Sequence, residues 1–276
     1  MRFPPPGSRF CLFRSVRDDV ISWSVISIFM QTVYIDFKVP TGWHELSDKK
    51  LRLVYRLLAG NFSTDTIKTL CFLKWSKTKV IGRQNNGKFL LKKGKDLFEV
   101  TPIALAEVMT FLDWLGSLPN RPVRISTINR RKALPAEFFD VPFETFIICD
   151  NLYQGYLKTQ NDELLDEMGA VLYGKEMEFK PFERINIFYW FASLKDWLSR
   201  KYSFFFQPME GVNDENLLGA PSMSVEDAMN AQIRALTKGD VTKEAEVLAL
   251  DTHRALTELN AQAREYKEMN EKLNMK

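Results

Sequence analysis

The sequence lacks the short motifs that mark the common catalytic and nucleotide-binding sites. The 276 residues contain no G-x-x-x-x-G-K-[ST], no G-x-G-x-x-G, no G-x-S-x-G and no H-E-x-x-H. These patterns supply, in turn, a phosphate cradle, a dinucleotide turn, an activated serine and a zinc-bound water. We therefore predict a protein that is not an enzyme, has no catalytic or cofactor-binding residues, requires no cofactor and has no evident small-molecule substrate.

Histidine and cysteine are also scarce. The chain has two histidines, His44 and His253, and three cysteines, Cys11, Cys71 and Cys149. No two cysteines stand at metal-ligand spacing, which disfavours a zinc site, and we predict no metal-binding residues. Three widely spaced cysteines, two of them on apolar helix stripes, predict buried thiols in a reducing compartment and not a disulfide framework.

No apolar run is long enough to cross a membrane. The run VISWSVISIFM, residues 20–30, has eleven residues, whereas a spanning helix needs about 20. Asp18 and Asp19 precede it and no small-x-small cleavage site follows it, which argues against a signal peptide. We expect no membrane partner, and we interpret residues 1–29 as a leader that is disordered or not translated, with Met30 as the alternative start.

Positive charge is concentrated in one part of the chain. Between Lys49 and Lys95 there are thirteen Lys or Arg residues and one acid, Asp65. Residues 133–276, in contrast, contain fifteen bases and twenty-five acids. A surface this basic attracts phosphate. An acidic second half could also neutralise it, within one chain or in a head-to-tail contact.

The basic stretch carries clear start and stop signals for its elements. Ser47 and Gly60 bracket one helix, Ser63 caps a second that includes Trp75, and Thr101 caps a third that we expect to end at Gly116. Between the second and third helices, Asn86-Gly87 and Lys93-Gly94 are two-residue hairpin signals. They predict a three-stranded meander with strands near Lys79–Gln84, Lys88–Lys92 and Asp96–Val100.

Helix, tight turn, helix and ribbon follow the order of elements in a winged helix-turn-helix, which gives a DNA-binding hypothesis. The predicted nucleic-acid contacts are basic residues of the ribbon and of a Pro-rich arm around a short predicted strand, Val123–Ile128: Arg83, Lys88, Lys92, Lys93, Lys95, Arg130, Arg131 and Lys132. The second helix is, however, apolar at Cys71, Phe72 and Trp75, which suits a core helix better than one that reads bases. The alternatives are a solvated basic face or a face that meets an acidic protein.

The second half of the chain is predicted to be helical. Pro142 opens one helix, a second ends at Gly174, and Pro181 begins a segment with ten aromatic residues between Phe182 and Phe206, which we interpret as core or as an assembly surface. A linker at 207–222 precedes a short helix from Ser224 to Leu236 and a long helix capped by Thr242. That long helix has a narrow apolar stripe, which predicts contacts with a partner helix: Leu256, Leu259, Ala263, Tyr266 and Leu273.

Two stretches carry a resemblance to known proteins. Residues 43–75, WHELSDKKLRLVYRLLAGNFSTDTIKTLCFLKW, and 233–268, IRALTKGDVTKEAEVLALDTHRALTELNAQAREYKE, resemble uncharacterised proteins encoded among phage and prophage structural genes, similar in style to tail-assembly proteins. The resemblance implies a globular helical body with a charged helical extension that engages another virion component. It also implies a cytoplasmic location in the host cell or association with the virion.

The sequence thus predicts a mainly α protein with a small antiparallel β ribbon, of the α+β class, and an extended C-terminal helical arm. The expected organisation is a body at 30–206, with a basic part at 47–132 and an aromatic part at 142–206, and an arm at 223–276. The expected function is assembly through contacts with another protein or a second copy of the chain. The alternative is a winged-helix-like DNA-binding protein that uses the basic ribbon.

Overall fold

The computed structural model describes residues 37–206 and 233–274. The predicted leader, the linker at 207–222 and the start of the helix predicted from Ser224 lie outside the described residues. The fold is mainly α with a small three-stranded antiparallel sheet, as predicted. The chain divides into two compact units between Ser117 and Leu118. This boundary falls inside the predicted body, and the predicted arm belongs to the second unit.

The first unit follows the predicted order closely, since its helices and strands are set by local caps and turns. Ser63 Oγ accepts a hydrogen bond from the Thr66 amide, and Thr101 Oγ1 accepts one from the Ala104 amide, so both residues cap helices as predicted. The elements are α1 (Asp48–Ala59), α2 (Thr64–Ser76), β1 (Thr78–Arg83), β2 (Phe89–Lys93), β3 (Asp96–Val100) and α3 (Pro102–Thr110).

The sheet is the predicted meander, with strand order β1-β2-β3. Gly87 and Gly94 adopt φ values of +79° and +62° in the two hairpin turns, a conformation that glycine adopts at little cost. Phe37 packs with its ring centre 5.3 Å from that of Phe72 in α2 and 6.0 Å from that of Phe98 in β3. One face of the sheet is therefore core, shared with α2.

The third helix ends earlier than predicted. It stops at Thr110, and a separate 3₁₀ turn covers Asp113–Gly116. After Thr110 the α-helical ladder gives way to tighter bonds between residues three apart. The Trp43 indole holds the 3₁₀ turn that follows, since its Nε1 lies 3.0 Å from both the Trp114 and Ser117 carbonyl oxygens. The glycine at 116 therefore ends a turn and not the helix.

The second unit consists of helices around an aromatic core. Phe143, Trp190 and Phe191 are fully buried there. Gly174, with φ +70°, ends the second of these helices as predicted. The elements are a two-stranded hairpin of β4 (Thr127–Ile128) and β5 (Arg131–Lys132), then α4 (Phe143–Thr159), α5 (Asp162–Tyr173), α6 (Pro181–Lys201), α7 (Ser203–Phe206), α8 (Glu244–Leu248) and α9 (Thr252–Asn274).

The strand predicted over Val123–Ile128 is mostly wrong. Only its last two residues form a strand, because the backbone of Ile125 is bonded to helix side chains. Its amide donates to Asn186 Oδ1 at 2.8 Å, and its carbonyl accepts from the Tyr173 hydroxyl at 2.8 Å. Asn186 Nδ2 in turn donates to the Tyr173 oxygen at 3.0 Å. This buried network takes the place of a strand ladder.

The long helix predicted from Thr242 is broken into two. Asp240 and not Thr242 is the capping residue: its side chain accepts from the Thr242 amide and begins a 3₁₀ turn, Val241–Lys243, that leads into α8. The helix then stops after Leu248, because the Leu250 carbonyl accepts from the Phe143 amide at 2.7 Å. Asp251 Oδ1 restarts the helix by accepting from the amides of His253 and Arg254. The break anchors α9 to the start of α4.

Candidate interaction surfaces

Two of the predicted ribbon contacts lie along the buried face of the sheet. Successive residues of a strand point to opposite faces, and residues opposite each other in register share a face. Arg83 is opposite Phe89, with its guanidinium 5.7 Å from that ring centre. The Lys93 ammonium lies 4.7 Å from the Phe37 ring centre. Both cations therefore cover aromatic rings at the rim of the core.

The other ribbon cations lie elsewhere. Lys92, next to Lys93 in the strand, points to the opposite face, where it stands directly across from Lys79. Lys88 forms an ion pair with Glu99 at 3.3 Å, which neutralises its charge. Lys95 is exposed just after the turn at Gly94. The structure thus divides the predicted contacts between two faces of the ribbon and does not gather them on one basic surface.

The second helix is largely engaged within the first unit. Ile67, Cys71 and Phe72 are buried, and Lys68 is held by Asp113, with its Nζ 2.6 Å from the Asp113 carboxylate. The exposed residues of its first turn include the acid Asp65, which would repel a phosphate backbone. This arrangement suits a core helix more than a reading helix.

The remaining predicted contacts belong to the second unit. Arg130 occupies the β4–β5 turn with φ +65°, and Arg131 and Lys132 form β5. All three side chains are exposed. They form a short basic hairpin in a different unit from the ribbon.

The predicted partner-helix residues fall into two groups. Leu256 and Leu259 are buried inside the second unit, so the prediction that they contact a partner is wrong for this fold. Ala263 is half-buried. The apolar stripe is continuous in the sequence because the first half of α9, which is buried, and the second half, which is exposed, have the same 3–4 spacing of apolar residues.

The second half of α9 carries an exposed apolar stripe. Tyr266 and Leu273, both predicted, are 58% and 65% exposed, and Met269 between them is 58% exposed. Met269 was missed by the sequence reasoning, although it stands three residues after Tyr266 and four before Leu273, which is the spacing of one helix face. Charged residues surround the stripe on the same helix. This face is continuous in spacing with the buried stripe at the start of α9.

The aromatic segment is largely core. Phe182, Trp190, Phe191 and Tyr202 are buried, as the interpretation of this segment as core requires. Tyr153 on α4 stacks on Phe188 with ring centres 5.6 Å apart, and these rings are only half-buried. The density of aromatic residues therefore reflects the packing of α4 against α6 more than an assembly surface.

A cluster that the sequence reasoning missed surrounds His253. The Lys201 ammonium lies 5.1 Å from the ring centre of Phe139, 5.0 Å from that of Trp197 and 5.2 Å from that of Tyr202. Phe139 also stacks on the His253 ring at 4.1 Å. Trp197 and Lys201 are four residues apart on α6, but no sequence spacing links them to Phe139 or His253, which come from two other segments.

The described residues contain no group of three His, Cys, Asp or Glu side chains placed to hold a metal ion. A pocket of about 280 Å³ in the second unit is lined by residues 233–244, among them Arg234 and Glu244. No helix among the described residues is long and apolar enough to cross a membrane. No protein-family model, curated protein or solved structure matches the chain.

Proposed function

We propose that this chain is a non-enzymatic assembly protein of a phage or prophage structural module, which acts in the host cell or in the virion. It works through protein–protein contacts made by the second half of α9. The observation that carries the proposal is the exposed stripe of Tyr266, Met269 and Leu273. A partner that covers these side chains would remove apolar surface from water, at about 25 cal/mol per Å².

The partner is a helix of another protein or of a second copy of this chain. An apolar stripe at i, i+3 and i+7 with charges beside it is the pattern by which a helix packs on another helix or lies in an apolar groove. Arg264, Glu265, Lys267 and Glu268 provide both signs of charge next to the stripe. A partner with a similar mixed pattern can therefore pair with it electrostatically.

The proposal is tested by removing the apolar surface while keeping the helix. A triple variant, Tyr266→Gln, Met269→Gln and Leu273→Gln, retains good helix formers at all three positions. A matched control changes three exposed apolar residues of the first unit to glutamine: Phe62, Ile103 and Phe111. In a prophage that carries each allele, we expect the α9 variant to reduce the number of complete particles counted by electron microscopy and the control to leave it unchanged.

Sedimentation of the purified chain identifies the type of partner. A wild-type mass above one chain that falls to one chain in the α9 variant shows self-association, whereas a single-chain mass throughout assigns the contact to another protein. Normal particle numbers after deletion of the gene would refute the assembly role.

A second role, polyanion binding by the exposed face of the sheet, is supported by one observation. Lys79 and Lys92 are directly opposite each other and both are exposed. Like charges in this position destabilise a sheet, and a bound phosphate would relieve the repulsion. The test is a duplex DNA titration at several salt concentrations. Lys79→Glu with Lys92→Glu should abolish salt-sensitive binding, while Lys267→Glu with Lys272→Glu, which changes the net charge equally, should not.

A further inference from the structure

His253 joins the first turn of α9 to two other segments of the second unit. Its Nε2 lies 2.7 Å from the carbonyl oxygen of Glu137, in the loop before α4. Its Nδ1 lies 2.8 Å from the hydroxyl of Tyr202, at the end of α6. The imidazole is buried. One side chain thus connects α9, the loop and α6.

These contacts determine which nitrogen of the neutral ring carries the hydrogen. A carbonyl oxygen only accepts hydrogen bonds, so Nε2 carries the hydrogen and donates it to Glu137. In the neutral ring Nδ1 then has a lone pair, which accepts from the Tyr202 hydroxyl. The Lys201 ammonium, 3.3 Å from Nδ1, also presents hydrogens to this atom. The site is built for neutral histidine.

Protonation of Nδ1 would disrupt this arrangement. The Tyr202 oxygen could accept the added hydrogen only if the hydroxyl turned its own hydrogen to the more distant His253 carbonyl, 3.3 Å away. The Lys201 ammonium has no lone pair to offer, so its contact with Nδ1 would be lost and two positive charges would be placed together. Two carboxylates oppose this effect, those of Asp251 and Glu137. The Asp251 carboxylate is already bonded, however, to the amides of Asp140, His253 and Arg254.

The balance of these effects favours the neutral ring. Burial lowers the pKa of His253 below its usual value of 6.5, the bond to the Glu137 carbonyl opposes this, and the charge of Lys201 adds to the lowering. Because the folded pKa lies below the unfolded one, the stability from this group is fully present above about pH 6.5 and is lost as the pH falls through the folded pKa.

The loop that meets His253 has a strained backbone. Phe138 and Asp140 adopt φ values of +61° and +57°, which are uncommon for residues other than glycine. Between them, Phe139 stacks on the His253 ring. Such a conformation persists where the surroundings of the residue hold it in place. Contacts with the start of α9 help to hold this loop, among them the bond from the Asp140 amide to the Asp251 carboxylate at 2.8 Å.

We propose that His253 is an acid-sensitive latch, which releases the first turn of α9 from the loop at 137–140 when the ring gains a proton. The release loosens the base of the helix that carries the exposed stripe of Tyr266, Met269 and Leu273. Its consequence for partner binding rests on the proposed function, but the latch itself is a property of the isolated chain.

The first measurement is an NMR titration of His253 in the full chain. We expect His253 to titrate below its usual value of 6.5, and Lys201→Met to raise the pKa of His253 because it removes the facing charge. A His253 signal that titrates at or above pH 6.5 would overturn the proposal.

The second measurement is hydrogen exchange of the α9 amides, expressed as protection factors so that the intrinsic pH dependence is removed. Between pH 7.5 and pH 5.0 we expect protection at 255–259 to fall in the wild type, by about tenfold for each unit by which the pKa of His253 is lowered and by no more than about thirtyfold, because the opened state titrates only from pH 6.5 to pH 5.0. His253→Gln keeps a donor for Glu137 and an acceptor for Tyr202 but does not titrate, so its protection should change less than about twofold, the equivalent of less than a third of a pKa unit. Equal loss in both proteins would refute the latch.

These results are independent of the partner. Normal particle numbers after deletion of the gene would refute the proposed function and leave the latch intact. If partner binding proceeds while protection at 255–259 does not change with pH, the latch is refuted and the assembly role stands.

Discussion

Replacement of Asn186 by leucine tests the buried network that holds Ile125. Leucine has the same branched skeleton of four heavy side-chain atoms as asparagine, with larger methyl groups that neither donate nor accept, so the change removes both bonds of the amide without leaving a cavity. The Ile125 amide, which donates to Asn186 at 2.8 Å, would be buried without an acceptor. The Tyr173 hydroxyl would keep its bond to the Ile125 carbonyl but lose the bond from Asn186.

The expected cost follows from these two losses. A buried donor left without an acceptor costs about 1–3 kcal/mol, and a lost neutral hydrogen bond about 0.5–1.5 kcal/mol. We therefore expect Asn186→Leu to lower the free energy of unfolding by about 2–4 kcal/mol. The assay is urea unfolding of the full chain, with the midpoint shift multiplied by the m value.

A matched control and a clear refutation complete this test. Gln262→Leu makes a similar polar-to-apolar change on α9, where the amide bonds Glu258 at the surface. We expect this control to change stability by less than about 0.5 kcal/mol. A loss below about 1 kcal/mol for Asn186→Leu would show that the Ile125 amide finds another acceptor, and our account of this segment would be wrong.

Three further substitutions test other contacts by the same urea assay. Gly169→Ala should destabilise the protein by about 1–2 kcal/mol, because its Cβ would lie 2.5 Å from Phe179 Cε2 and the cost of overpacking exceeds the gain in helix propensity. Its control is Gly155→Ala, whose Cβ would have as nearest neighbour the flexible end of a leucine at 3.1 Å, and which should be neutral or stabilising. Trp43→Phe removes the indole donor of two carbonyls and should cost about 1–3 kcal/mol, and no loss would show that these bonds do not stabilise the first unit. Asp251→Ala should cost about 1 kcal/mol through loss of the α9 cap, and an unchanged midpoint would show that the cap contributes nothing.

The elements that the sequence predicted well are those defined by their own neighbours. Ser63, Thr101 and Gly174 act within a few residues of their position, and the hairpin turns at Gly87 and Gly94 fix the register of adjacent strands. Periodicity and capping are local signals, so they survive without any knowledge of tertiary contacts. The order of the elements, and with it the fold class, follows from these signals.

The errors arise where a distant group competes with a local pattern. Asn186 bonds a residue 61 positions away, and Phe143 interrupts a helix more than 100 positions away. Neither partner leaves a trace in the sequence around the segment that it changes. The prediction that the whole α9 stripe contacts a partner was wrong for a related reason. Spacing identifies an apolar face of a helix, but it does not show whether the chain itself or a partner covers that face.

The candidate surfaces show the same limit. The composition was enough to locate the basic ribbon. The face of the sheet on which each cation lies, however, depends on the exact pairing of the strands, and the pairing of β1 with β2 shifts between Val80 and Gly82. The ion pair between Lys88 and Glu99 also lies across strands, eleven residues apart. The exposed part of the α9 stripe could be predicted except for Met269, whereas the His253 cluster could not.

Each unit contains one buried cysteine, so the reaction rate of its thiol can report how often that unit opens. Cys71 is buried in the first unit and Cys149 in the second, and burial raises the pKa of both thiols, that of Cys71 to about 12. A thiol of this kind reacts slowly with a disulfide reagent until its surroundings open. With Cys11 changed to serine, the two reaction rates under native conditions report the opening free energies of the two units separately. Equal rates for Cys71 and Cys149, after correction for intrinsic reactivity, would mean that the units open together.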